Sequence, residues 1–90
     1  MNQATEQQNF PKVESEFYKG DLIKATWVTE GSDIATENYD EAPVDGSVVW
    51  LAKFETAIFM EGYTPEQALF AGRETVDEYL SGEFVFKKAR

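Results

Sequence analysis

The chain has 90 residues, which is enough for one hydrophobic core but too few for two. It carries 17 Asp and Glu against eight Lys and Arg, with no His, for a net charge of −9 at pH 7. The absence of cysteine excludes disulfides and thiolate chemistry and fits a reducing compartment, so the cytoplasm is the expected location.

The first nine residues are polar and contain neither a basic stretch nor an apolar run, which argues against a secretory signal. We expect residues 1–9 to be a disordered lead and residues 10–90 to form a single small domain. The apolar stretches are far too short to span a bilayer, so no membrane segment is expected.

A β-hairpin is predicted first. Residues 13–18 alternate, with Val13, Ser15 and Phe17 on one side and two glutamates on the other, as is typical of a strand. Gly20 can take the positive φ of a tight turn, and residues 22–29 are rich in strand-forming side chains.

An acidic loop is predicted next, because residues 30–46 hold six acids and no base, with Gly, Ser, Asn and Pro among them. The segment is long for a connection without structure, so a short strand or helical turn around residues 34–39 stays open. Its carboxylates do not match the spacing of a calcium loop, and no metal site is predicted.

A two-helix hairpin is predicted after the loop. The first helix would begin at a cap on Asp45 or Ser47 and run to about Glu61, since apolar residues from Val48 to Met60 recur at helical spacing. Its broad apolar surface predicts a central core helix, with an oligomer contact as the alternative.

The second predicted helix has clear boundary signals. Thr64 can cap it, Pro65 suits its first position, Gln67 can close a capping box, and Gly82 can end it. The face predicted to pack on the core, called the inner stripe, is formed by Ala68, Leu69, Gly72, Val76, Tyr79 and Leu80. The opposite face of this helix is acidic and carries one aromatic ring, that of Phe70.

Residues 83–86 alternate aromatic and other side chains and predict a last strand before a basic tail. The predicted fold class is therefore α+β, with an N-terminal β-hairpin, an acidic loop, a two-helix hairpin and a short C-terminal strand packing on a small antiparallel sheet.

The residue types that most enzymes need are missing. Without His or Cys the usual bases and nucleophiles are absent, and there is no glycine-rich phosphate loop or metal-ligand spacing. Among so many acids, a close pair of carboxylates has no diagnostic value. We expect a protein that is not an enzyme and binds no cofactor and no metal.

The charge distribution gives the functional prediction. Residues 25–83 contain thirteen acids and two bases. Such a body repels nucleic-acid phosphates and attracts basic surfaces, although acids kept for solubility alone explain the composition equally well. The expected partner is the basic surface of a nucleic-acid-binding protein, without direct contact to nucleic acid or membrane.

Charge and expected exposure indicate which residues bind the partner. An exposed Phe70 inside an acidic rim would suit a basic surface with an apolar pocket, whereas the alternative folds Phe70 over the helix edge into the core. The full set is Asp40, Glu41, Glu66, Phe70, Glu74, Asp77 and Glu78.

In general character the chain resembles the small, acidic, cysteine-free proteins that phages encode against host machinery, anti-CRISPR proteins among them. The resemblance is of class and not of motif, and it implies a non-catalytic inhibitor or regulator that acts as a DNA mimic. One alternative is a homo-oligomeric accessory or structural protein, such as a homodimer. Another is a small-ligand-binding module lined by Trp27, Trp50, Phe54 and Tyr63.

Overall fold

A computed structural model describes residues 10–82 of the chain. Four strands form one antiparallel sheet in the order β1-β2-β3-β4. A single helix within the described range, α1, packs across one face of this sheet. The bounds are β1 Val13–Tyr18, β2 Asp21–Val28, β3 Gly46–Leu51, β4 Thr56–Glu61 and α1 Pro65–Ser81.

The N-terminal hairpin of β1 and β2 confirms the first prediction. Tyr18 pairs with Asp21 across a two-residue turn in which Lys19 and Gly20 have φ values of 50° and 84°. Two successive positive φ angles match the right-handed twist of the flanking strands, which is why this turn type closes hairpins.

The predicted helix over residues 45–61 is wrong, and the predicted two-helix hairpin is therefore wrong as well. The segment forms β3 and β4, joined by a single 3₁₀ turn, Ala52–Phe54, and by Glu55, which takes a left-handed φ of 53°. Its apolar side chains lie on both faces of the sheet: Val49 points towards α1 and Trp50 away from it. Apolar and polar residues therefore do not alternate along this segment, and the spacing of its apolar residues fits a helix equally well.

The predicted ends of α1 are confirmed. Thr64 Oγ1 accepts a hydrogen bond from Gln67 N, and Gln67 Oε1 accepts one from Thr64 N, at 3.3 and 3.0 Å. Pro65 follows the cap, and Gly82 closes the helix with a φ of 90°. The last turn of α1 contains no basic residue. Local side-chain chemistry thus fixes both ends of the helix.

The core lies between α1 and the sheet. A Cβ at Gly72 would lie 3.2 Å from both Ile23 Cγ2 and Val49 Cγ1, so this glycine sets the short distance between helix and sheet. Two residues of the predicted inner stripe are less buried than expected, since Tyr79 is half-buried and Leu80 is exposed. The buried apolar cluster is Ile23, Ala25, Val49, Leu51, Ala68, Leu69 and Val76.

Residues 29–45 form the predicted acidic loop, with an isolated bridge between Asp33 and Glu41 and neither strand nor helix at residues 34–39. Glu37 N donates to Ala57 O, so part of the loop follows the outer edge of β4. The predicted lead 1–9 and the predicted strand 83–86 lie outside the described residues. Within residues 10–82 no helix has the length and hydrophobicity needed to cross a membrane.

Candidate partner-binding surface

The solvent side of α1 carries three glutamates around an exposed aromatic ring. Glu66, Phe70, Glu74 and Glu78 are four residues apart in succession, a spacing that places them along one side of a helix. All four are exposed, and Phe70 is 59% exposed. The alternative in which Phe70 enters the core is therefore wrong. These four residues are called the acidic helix face below.

Helix geometry explains the exposure of Phe70. Each residue turns the helix by about 100°, so Phe70 lies roughly 200° around the axis from the buried residues Ala68 and Gly72. No rotamer of an aromatic side chain can span that angle. Exposure of the ring follows from the same pattern that buries the inner stripe.

A guanidinium already lies against the ring of Phe70. Arg73 Cζ is 5.4 Å from the Phe70 ring centroid, within the range of a cation–π contact. Arg73 Nε is also 3.0 Å from Glu16 Oε2 on β1. Because Glu16 compensates the charge of Arg73, the three glutamates of the acidic helix face keep their net negative charge.

The surface continues towards the start of α1. An open depression there is lined by Tyr63, Glu66, Phe70 and Glu74, among others. With Glu61 and Arg73, which also line it, two aromatic rings, three carboxylates and one guanidinium share this concave region. Such a region suits a cationic side chain with an apolar stem, such as that of arginine or lysine.

Asp77 lies beside the acidic helix face but is engaged with the β1–β2 hairpin. Lys19 Nζ donates to Asp77 Oδ1 at 2.8 Å, and Tyr18 Oη donates to Asp77 Oδ2 at 3.0 Å. The hydrogen bond from Lys19 lowers the pKa of Asp77, with a further contribution from the Tyr18 hydroxyl. The Asp77 side chain therefore links α1 to the β1–β2 hairpin, and its carboxylate is already bound by Lys19 and Tyr18.

This contact predicts a dependence of stability on pH. The pKa of Asp77 is lower in the folded state than in the unfolded state. The ionised Asp77 carboxylate therefore stabilises the fold fully above the unfolded pKa of about 3.9, and this stabilisation is lost as pH falls through the folded pKa. We expect Asp77→Asn to lower the melting temperature slightly at neutral pH and to have no effect at strongly acidic pH. Thermal unfolding of both proteins across this range measures the difference. A constant difference at every pH would contradict the assignment.

Asp40 and Glu41 are placed away from the acidic helix face. They lie in the 29–45 loop next to Tyr39, whose ring meets that of Phe59 edge-on at 5.6 Å. The loop reaches α1 through another acid, Glu37, which accepts hydrogen bonds from Thr56 Oγ1 and from the Tyr79 hydroxyl. Of the seven predicted residues, the structure brings together Glu66, Phe70, Glu74 and Glu78.

The sheet face that points away from α1 is poor in charge. Glu14, Glu16 and Asp21 lie at the strand positions that face α1, because they share the alternation of buried Ile23 and Ala25. The outward strand positions hold two charged residues, Lys24 and Glu61. Large apolar side chains are exposed there instead: Val13, Phe17, Leu22 and Trp50. These four residues are called the open sheet face.

The four aromatic residues of the ligand-binding alternative do not line one site. Trp27 packs on Phe10, with ring centroids 5.0 Å apart. Trp50 lies on the open sheet face, Phe54 packs on a helix residue, and Tyr63 precedes α1. In residues 10–82 no three acidic side chains are close enough together to hold a metal ion.

The structure and the sequence were both compared with known proteins. No protein-family model, no curated protein and no solved structure matches this chain. The case for a function therefore comes from the chain's own surfaces.

Proposed function

We propose that the protein is a non-catalytic, acidic protein-binding inhibitor or regulator, and that it binds the basic surface of a nucleic-acid-binding protein. The observation that supports this most is the exposed Phe70 among Glu66, Glu74 and Glu78 on a well-capped helix. An exposed large aromatic residue surrounded by like charges is typical of a recognition surface with an apolar anchor and a polar rim.

Charge density indicates what kind of basic surface fits. Glu74 and Glu78 are four residues apart, so about 6 Å of helix axis separates them. A DNA strand carries a phosphate about every 3.4 Å along its axis, which is a denser row of charge. The acidic helix face therefore matches a partner whose cationic side chains flank an apolar pocket that receives Phe70.

Occupation of such a surface would exclude nucleic acid from it. The proposed activity is that of a DNA mimic that imitates the negative charge of DNA and not its phosphate spacing, in the manner of phage-encoded anti-CRISPR proteins, acting in the cytoplasm of the host. The protein would act only by occupying the basic surface with its negative charges, without cofactor, metal or chemical step. Electrostatic attraction would speed encounter, and the apolar anchor would slow release.

The test begins with capture from a host lysate and continues with one identified partner. We expect the wild-type protein to capture nucleic-acid-binding proteins, and titration then measures the affinity of the purified partner. We expect Glu74→Lys with Glu78→Lys to weaken binding by about tenfold to a hundredfold. The matched control, Glu30→Lys with Asp33→Lys in the loop, changes the net charge equally and should weaken binding much less.

A second variant separates the anchor from the charge. Phe70→Ala removes the ring without changing the net charge, so we expect an affinity loss of about tenfold with an unaltered salt dependence. The proposal fails if captured proteins have no nucleic-acid-binding activity, if the partner's nucleic acid is not displaced, or if the helix and loop variants weaken binding equally.

A further inference from the structure

We propose that the depression at the start of α1 binds one arginine side chain of the partner protein. The inference rests on the proposed function, because it names the group of the basic surface that this part of the molecule receives. The depression has a volume of about 750 Å³ and is open to solvent, so a whole side chain can enter it from a neighbouring protein. The residues called the arginine site below are Glu61, Tyr63, Glu66, Phe70 and Glu74.

The carboxylates of the arginine site carry charge that the protein does not neutralise. Within residues 10–82, none of Glu61, Glu66 and Glu74 forms an ion pair. Arg73 also lines the depression, but its Nε is 3.0 Å from Glu16 Oε2, which compensates its charge. Three negative charges that share a concave region repel one another, and a cation placed among them replaces that repulsion by attraction.

The aromatic rings favour a guanidinium over other cations. Arg73 Cζ lies 5.4 Å from the centroid of the Phe70 ring, so this ring already packs against a guanidinium of the protein itself. The Tyr63 side chain is available for a second such contact, because in the described part of the chain it makes no hydrogen bond and no ring contact. A guanidinium is planar, weakly hydrated and stacks on aromatic faces, whereas the ammonium group of lysine is compact and strongly hydrated. We therefore expect arginine to be preferred over lysine.

Hydrogen bonds hold the backbone around Tyr63 in place without a partner. Ser47 is fully buried, and its Oγ donates to Tyr63 O at 2.7 Å. Tyr63 N donates to Met60 O at 3.3 Å, and Gly62 N donates to Asp45 O at 2.9 Å. A site whose backbone is fixed beforehand loses less conformational entropy when it binds. The Tyr63 ring is therefore presented at a defined place beside α1.

The charge of the arginine site indicates an arginine within a protein chain and not the free amino acid. Free arginine carries an α-carboxylate next to its cationic side chain, and the three glutamates of the site repel that carboxylate. In a protein chain this group is a neutral amide, so only the attraction of the guanidinium remains.

Titration of the full chain with capped tripeptides, followed by nuclear magnetic resonance, tests the proposal. The peptides carry arginine, lysine or citrulline between two glycines, and citrulline has the shape of arginine without its charge. We expect the arginine peptide to shift the amide signals of residues 62–74 with a dissociation constant in the millimolar range. The lysine peptide should bind about threefold more weakly at the same ionic strength. Free arginine should also bind more weakly, and the citrulline peptide should leave the signals unchanged.

Matched variants separate the ring from the charge. Tyr63→Leu keeps the net charge, and we expect it to weaken binding of the arginine peptide about threefold and to abolish the preference over lysine. Tyr39→Leu is the control, because Tyr39 is 40% exposed and Tyr63 42% exposed, but Tyr39 lies in the 29–45 loop. Glu66→Gln with Glu74→Gln should weaken binding of both cationic peptides about fivefold. Thermal unfolding checks that each variant is folded.

Equal affinities for the arginine and lysine peptides would overturn the proposal, because charge alone would then explain the binding. Signal shifts spread equally over the 29–45 loop would overturn it as well. If no peptide binds while Glu74→Lys with Glu78→Lys still weakens binding of the purified partner, the arginine site is wrong and the proposed function stands. If the arginine peptide binds as expected but no basic partner is captured, the proposed function is wrong and the preference of the site for arginine stands.

Discussion

Replacement of Gly46 by alanine is expected to lower the free energy of unfolding by about 3 kcal/mol. Gly46 begins β3 and pairs with Val28 on one side and Glu61 on the other. A Cβ there would lie 2.5 Å from Met60 O, 2.9 Å from Phe59 Cζ and 3.0 Å from Gly62 N. Because two of these atoms belong to the backbone, rotation of a side chain cannot relieve the overlap, and β3 must move away from β4.

Gly31→Ala is the control for Gly46→Ala. Gly31 has a φ of 89°, but nothing lies within 4 Å of a Cβ at that position. Gly31→Ala should therefore lower the free energy of unfolding through backbone strain alone, by about 1 to 2 kcal/mol. Urea unfolding followed by circular dichroism measures both values. Equal losses would mean that the contact across β3 and β4 is looser than the structure shows.

Leu51→Ala should cost about 3 kcal/mol, because Leu51 is fully buried under α1 and its removal leaves a cavity. The same substitution at Leu22, which is 44% exposed on the opposite side of the sheet, should cost less than about 1 kcal/mol. Denaturant unfolding of both variants tests which face of the sheet forms the core. A larger loss for Leu22→Ala would reverse that assignment.

Local side-chain chemistry made the hairpin and α1 predictable. The turn at Lys19 and Gly20 and the caps at Thr64 and Gly82 act over a few residues, so their signals can be read directly from the chain. With these caps fixing α1, helical spacing alone places four residues on a common side: Glu66, Phe70, Glu74 and Glu78.

The β3–β4 hairpin was not predictable from the same signals. Its turn contains no glycine, and Glu55 supplies the left-handed residue instead, so the usual mark of a hairpin is missing. The short length of the run and its β-branched Val48, Val49 and Ile58 were the signals that favoured strands. Because apolar residues lie on both faces of the sheet in this segment, the two-residue alternation of apolar and polar side chains that indicates a strand is absent.

Contacts between distant residues explain what the site prediction missed. Lys19 and Asp77 are 58 positions apart, so no local pattern shows that this carboxylate is already paired. The position of Asp40 and Glu41 depends on how the loop follows β4. The open sheet face depends on the strand register, whereas helical spacing places Trp50 on a helix.

The missing base in the last turn of α1 leaves an electrostatic conflict at that end. The carbonyl groups there carry partial negative charge, and Glu78 adds a full one beside them. A cation held at this position by another protein would ease the conflict by about 0.3 to 1 kcal/mol. Complex formation should then reduce fraying of the helix end, visible as slower amide hydrogen exchange around Tyr79 and Leu80.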